Sequence, residues 1–248
     1  MIQAIDHIVI LVNDLGAATA SYAALGFTVA PGGTHAGGAT HNALVVFEDD
    51  TYLELIAFLR DAPEHHWWPH AAAGEGLIDY ALLPSAIAAD VAAARARGLA
   101  IDGPYDGGRV RPDGQRVAWQ SARPAAAGLP FLCGDVTPRA LRVPAGALRT
   151  HANGVTGIAG VTVATPDLTA TAAQYQALLG SDAAGSSFAL GAAAIVLATP
   201  GGGAIPGATL AAHLARRGAG LCALTLRGPR PTAFEPALTH GVPIDVVA

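Results

Sequence analysis

Apolar residues in the first sixty positions follow two rhythms. Ile5, His7, Val9 and Leu11 alternate with Asp6, Ile8, Ile10 and Val12, a period of two with apolar residues on both faces, which predicts a strand buried on both sides. Asp14 then stands as an N-cap. Leu15, Ala18, Tyr22 and Leu25 recur at three and four positions before Gly26, predicting a helix of about three turns. A short strand is expected at Phe27-Thr28-Val29, a loop from Pro31 to Gly38, and strands at Ala43 to Phe47 and Tyr52 to Phe58. The order is βαβββ.

The order returns further along. After the connector Pro63 to His70, Leu77 to Leu83 predicts a strand, and Ser85 caps a helix through Arg97 that stops at Gly98. Val110 and Val117 flank a turn at Pro112-Asp113-Gly114, and Leu129 to Cys133 closes the unit. Beyond a linker at Pro144 to Asn153, Gly157 to Ala164 repeats the opening strand, Asp167 caps a helix ending at Gly180, and Phe188 to Leu190 pairs with Ala192 to Leu197. Leu221 to Arg227, a short helix near Phe234 to Thr239, and Ile244 to Val247 make a truncated fourth copy. This repeat predicts an α+β fold of tandem βαβββ modules, with two modules in residues 1–140 and one and a half in residues 150–248.

Composition narrows the partners. Hydrophobic residues at 52% against 13% charged exclude a disordered chain, and the longest apolar runs are strand-sized, so no membrane span is expected. The N-terminus shows no basic leader pattern, which points to a cytoplasmic protein. All 14 basic residues are arginine, so Schiff-base lysine chemistry is excluded. A net charge of −5 argues against nucleic acid and for small-molecule partners. Cys133 and Cys222 lack the spacing of a thiolate metal site and read as buried small residues. Gly201-Gly202-Gly203 has no following Lys and Ser/Thr pair and is not a phosphate loop.

Several motifs carry a family likeness. Asp6-His7-Ile8-Val9 before Asn13-Asp14-Leu15, Gly32-Gly33-Thr34-His35, Gly38-Ala39-Thr40-His41-Asn42 and Tyr52-Leu53-Glu54-Leu55 follow one another in the first module. They resemble the vicinal oxygen chelate superfamily and, more closely, its glyoxalase-like domain branch, which shows Gly-Gly-x-His, Gly-Thr-x-Asn and Tyr-Leu/Ile-Glu-Leu in that order. Arg111-Pro112-Asp113-Gly114 with Trp119, and Leu129-Pro130-Phe131, look like the branch's second-module hairpin and closing strand. The likeness covers most of residues 1–140 and fades to module shape beyond. It implies paired modules curled into a cup-shaped mixed sheet. The superfamily hosts isomerases, dioxygenases, epimerases, thiol transferases and drug-sequestering binders, so the fold does not fix the function.

The resemblance also implies a divalent metal held by the first and fourth strands of a module, which falls on His7 and Glu54, with His35 as third ligand. Iron, manganese, nickel or zinc would suit such a set. His7 and Glu54 read equally as a buried ion pair, and His41 stands in reserve for His35. The second and third modules carry Ile78 and Gly160 where the first has His7, so a ligand set shared symmetrically between modules is not expected. Trp67 and Trp68, in His65-His66-Trp67-Trp68-Pro69-His70, are expected to form a lid over the cup or a wall against another subunit. Arg109, Arg111 and Arg116 could clamp a substrate anion, while Tyr80 and Trp119 line the pocket or fill the core. Together these point to a metal-dependent isomerase, lyase or dioxygenase acting on a small vicinally oxygenated metabolite. A metal-free protein that sequesters a small molecule is the rival, and a homodimer is expected from the apolar composition.

Overall fold

The computed structural model describes residues 2–181, 185–202 and 205–248. The first module runs β1 (Ile2–Leu11), α1 (Leu15–Ala24), β2 (Ala30–His35), β3 (Thr40–Val46) and β4 (Tyr52–Phe58). The second runs β5 (Gly76–Pro84), α2 (Ile87–Ala96), β6 (Ile101–Val110), β7 (Arg116–Pro124) and β8 (Phe131–Asp135). These eight strands close into a barrel in the order β1-β4-β3-β2-β6-β7-β8-β5. In each module the first and fourth strands run parallel, and β1 meets β5 antiparallel.

A short helix α3 (Arg139–Arg142) leads to the rest of the chain: β9 (Gly157–Ala164), α4 (Leu168–Leu179), β10 (Ser187–Leu190), β11 (Ala193–Ala198), α5 (Gly207–Arg217), β12 (Gly220–Arg227), β13 (Thr232–Phe234) and β14 (Ile244–Val247). Its strands form a second mixed sheet in the order β10-β11-β9-β12-β14-β13. One apolar core joins the two sheets. Ile8, Ile10, Leu53, Leu55 and Tyr80 on the barrel's outer face pack with Val161, Val163, Tyr175, Ile195 and Leu224. A smaller cluster, Val9, Leu11, Ile56, Ala81, Phe131 and Cys133, fills the barrel interior. β1 is therefore buried on both faces from Ile5 onward, as its two-faced apolar pattern predicts.

The helix ends follow the local chemistry. Asp14 accepts from the Ala17 amide at 3.0 Å and Asp167 from the Ala170 amide at 2.9 Å, each satisfying an orphan donor of the first turn. Gly180 ends α4 in the left-handed region.

Four expectations are corrected. Phe27-Thr28-Val29 is not a strand: these residues carry no regular structure, and the strand after α1 begins at Ala30. Pro31 to His35 belong to β2 rather than a loop, because Gly32 and Gly33 let the backbone pass close to Asn42 and to the Val110 carbonyl, where a Cβ would collide. Ser85 is not the cap of α2: the cap is Ala86, and Asp90 reaches back to accept from the Ser85 and Ala86 amides. The helix expected near Phe234 to Thr239 is absent: Phe234 ends β13 and residues 236–241 form turns, while the unpredicted α5 precedes β12. Gly203 of the triglycine lies outside the described residues. No helix among the described residues is long and apolar enough to cross a membrane.

Candidate metal and substrate site in the barrel

The polar cluster of the barrel starts from a bulge. Between Ile5 and His7 the β1–β5 register slips, and Asp6 is the extra residue. Asp6 is fully buried and its Oδ2 lies 2.7 Å from His7 Nδ1. Its two oxygens also accept from Arg142 Nη1 at 2.6 Å and Arg139 Nη1 at 2.7 Å. Burial alone would raise the Asp6 carboxyl, but Arg142 and His7 outweigh it and hold the group below the usual carboxylate range. An ionised carboxylate only accepts, so His7 carries its proton on Nδ1. The ring is further fixed by Tyr52, stacked on it at 4.6 Å, and by Phe131, edge-on at 5.4 Å.

Held this way, His7 turns Nε2 toward Glu54 Oε2 at 3.5 Å. Parallel pairing of β1 with β4 puts Glu54 beside Val9 and Tyr52 beside His7, so both polar side chains enter the barrel. On the other side His35, at the end of β2, holds Nδ1 against Thr40 Oγ1 at 2.9 Å and faces Glu54 Oε1 with Nε2 at 3.3 Å. Asn42 on β3 donates Nδ2 to the same Oε1 at 2.6 Å, while its buried Oδ1 has no hydrogen-bond partner. Burial pushes the Glu54 carboxyl up, but His35, His7 and Asn42 prevail and hold it at about 2. Glu54 is a carboxylate at neutral pH.

The structure thus brings His7, His35 and Glu54 together. Trp119, 5.9 Å from the His35 ring and perpendicular to it, stands at their edge. Arg109 pairs with His35 across the β2–β6 seam and is buried, donating to the Gly32 and Arg142 carbonyls. His41 is brought elsewhere: one position from Asn42, it points out of the barrel into a groove with Thr19, Val29 and Pro112. Arg111 also lies outside, bound to Asp113 at 3.0 Å and to the Leu141 carbonyl. Tyr80 faces the second sheet, its hydroxyl 2.6 Å from that of Tyr175. Trp67 closes the barrel end, donating to Asp79 at 2.9 Å beneath Arg123, and Trp68 packs edge-on against Phe58. A cavity of about 360 Å³ lies beyond Trp67, and Phe131, which lines it, divides it from His7.

Sequence reasoning missed Asp6, Asn42 and Arg142. Asp6 carried a signal: an acid inside an otherwise apolar strand needs a buried partner. Asn42 sat in the quoted motif, and strand alternation sets it opposite His41.

The donor set is tested against a divalent ion by its chemistry. Among the described residues no three His, Cys, Asp or Glu side chains form a ready metal centre. The two imidazoles meet different oxygens of Glu54, and the Asn42 amide bridges Oε1 and His35 Nε2. In kind the residues fit. Both histidines are anchored through Nδ1 and present Nε2, the arrangement typical of metal-binding histidine, and the carboxylate is ionised. Asn42, whose Oδ1 is orphaned, is the group whose contact would have to yield.

Paired βαβββ modules closed into a barrel define a protein of the vicinal oxygen chelate superfamily. The chain belongs to the glyoxalase-like domain family, whose model matches residues 5–179. Over 98% of both chains the structure resembles that of a hypothetical protein from Staphylococcus aureus, with a TM-score of 0.73 at 13% identity. A variant of 4-hydroxymandelate synthase from Streptomyces coelicolor gives 0.62 at 17% identity, over 93% of this chain and 72% of that one. A xylose isomerase-like TIM barrel/4-hydroxyphenylpyruvate dioxygenase fusion protein gives 0.56 at 18%, over 93% of this chain and 37% of the fusion. At such identities the likeness is one of fold. No curated protein sequence matches the chain.

Proposed function

We propose that this protein is a divalent-metal-dependent enzyme acting on a small metabolite with vicinal oxygen atoms, and that His7, His35 and Glu54 hold the metal. One observation carries the reading: two imidazoles, each anchored through Nδ1, turn Nε2 onto the two oxygens of a single buried carboxylate. A bound divalent ion would supply Lewis-acid polarisation of the substrate's oxygens.

The chain's own residues prepare the rest. Asp6 fixes the tautomer and tilt of His7, and Arg139 and Arg142 keep Asp6 ionised. Among the described residues Arg109 hydrogen-bonds only to main-chain carbonyls, so its positive charge is left available to an anion formed beside Glu54. Trp119 beside His35 gives an apolar wall that excludes water from the more open side of the cluster. Isomerase, lyase and dioxygenase chemistry are all compatible with this set.

Calorimetric titration of the metal-stripped protein with Mn²⁺ and Zn²⁺ tests the reading. The parent is expected to bind one ion, and His35→Gln and Glu54→Gln to bind at least 100-fold more weakly, each losing one ligand. Unchanged affinity in both variants, or no uptake by the parent, would refute it and leave the barrel as a metal-free binding cup.

A further inference from the structure

Asn42 is the member of the barrel cluster that neither ion pairing nor apolar packing accounts for. Its side chain is buried, and among the described residues Oδ1 has no hydrogen-bond partner. Such orphans are rare in native structures and call for an explanation, a bound ion among them. Oδ1 rests against the Gly32 backbone, where a Cβ would collide with it. The neighbouring Arg109 donates to the Gly32 and Arg142 carbonyls and leaves this oxygen unserved. Closed in on that side, Oδ1 takes no ligand from where it stands.

The amide nitrogen is on the open side of the problem. Nδ2 lies 2.6 Å from Glu54 Oε1 and 3.4 Å from His35 Nε2, and those two atoms are 3.3 Å apart. The three atoms form a closed triangle. Its edges bracket about 3.0 Å, the spacing of neighbouring ligands on an octahedral ion with bonds of about 2.1 Å. Two corners are metal-ligand atoms by type, a carboxylate oxygen and an imidazole nitrogen. The third is an amino group, which only donates.

A carboxamide is planar, and its O and NH₂ ends have nearly the same outline. A half-turn about Cβ–Cγ therefore exchanges them without displacing a neighbour. With no ion on the triangle the half-turn is unfavourable, because Oδ1 would meet Glu54 Oε1 acceptor against acceptor. A cation there reverses the preference: it attracts the carbonyl oxygen and repels the amino hydrogens, which then face Gly32.

We propose, on the basis of the metal assignment above, that Asn42 is a further ligand, binding a divalent ion through Oδ1 after a half-turn of its amide and completing one face of the coordination shell with His35 and Glu54. Carbonyl oxygen is a ligand suited to Mn²⁺.

Calorimetric titration of the metal-stripped protein with Mn²⁺ tests this in the parent, Asn42→Ala, Asn42→Asp and His35→Gln. Asn42→Ala should bind at least tenfold more weakly. Asn42→Asp keeps an oxygen at that corner and loses the amino group, and should bind at least as tightly as the parent. Water-proton relaxation of the Mn²⁺ protein counts the waters on the ion: Asn42→Ala should carry one more than the parent, and Asn42→Asp no more. A residue that merely holds Glu54 in place would leave that count unchanged. Equal or tighter binding in Asn42→Ala, weaker binding in Asn42→Asp, or an unchanged water count in Asn42→Ala would each overturn the inference. If His35→Gln still weakened binding in those cases, the metal assignment itself would stand. A parent that binds no Mn²⁺ would overturn both.

Discussion

Replacing Asp6 by Asn keeps the shape of the side chain and removes its charge from a fully buried site. Asp6 accepts from Arg142 at 2.6 and 3.2 Å, from Arg139 at 2.7 Å and from His7 at 2.7 Å, and the Arg142 side chain is only 3% exposed. Breaking a buried ion pair by removing one partner costs about 3–5 kcal/mol, because the other charge is left in a low-dielectric interior. Asp135 still binds both arginines in the variant, which softens the loss. We expect Asp6→Asn to cost about 3 kcal/mol, or roughly 10 °C in Tm for a chain of this size. Urea unfolding of Asp6→Asn, Arg142→Gln and the double variant should give a coupling of about 2 kcal/mol. A coupling below about 0.5 kcal/mol would refute the picture of Asp6 as the neutralising centre of this network. The variant should also weaken metal binding by about 10–100-fold, since His7 loses the carboxylate that fixes its ring.

Three further outcomes follow from other buried groups. His151 bonds the Val46 carbonyl through Nε2 at 3.0 Å and accepts the Thr28 amide on Nδ1 at 3.0 Å, which fixes it neutral, and burial lowers its pKa. The unfolded chain therefore takes up the proton first. His151's contribution is intact above pH ~6.5 and falls by up to about 1.4 kcal/mol per pH unit below it; urea midpoints at pH 7.5 and 5.5 should differ less in His151→Gln, and equal differences would contradict this. Burial first raises the Cys133 thiol to about 12 and the Cys222 thiol to about 11, so a thiol reagent at pH 8 should label neither in the folded protein and both in denaturant. Tyr175→Phe should cost about 1–2 kcal/mol, because it leaves the Tyr80 hydroxyl and the Gly128 carbonyl without their partner at the junction of barrel and second sheet; a loss under about 0.5 kcal/mol in thermal unfolding would count against it.

Much of the architecture was legible because it rests on local rules. The double-faced apolar run of β1, the N-caps Asp14 and Asp167 and the left-handed Gly180 all act within a few residues, and each stands where the pattern puts it. β2 was hidden because Pro31-Gly32-Gly33 reads as a breaker; its glycines serve close packing against Asn42 and Val110, a fact of tertiary structure alone. α5 was hidden by its flanks, a triglycine and Pro206 on one side and Gly218 on the other. At the cluster itself, the family likeness pointed to His7 on the first strand and Glu54 on the fourth, and the parallel β1–β4 pairing makes those strands neighbours. The Asp6 bulge, which orients His7, depends on the β1–β5 register, which no local pattern encodes. A bulge on β5 likewise accompanies Tyr80 facing the second sheet instead of the barrel.

The most direct test of the central claim is the metal content of protein purified without an affinity tag, measured in the parent, in His7→Ala and in Glu54→Ala. The account predicts near-stoichiometric Fe, Mn, Ni or Zn in the parent and its loss in both variants, with both still folded by far-UV circular dichroism. A parent devoid of metal that takes up none on titration, or variants that retain the parent's content, would contradict it.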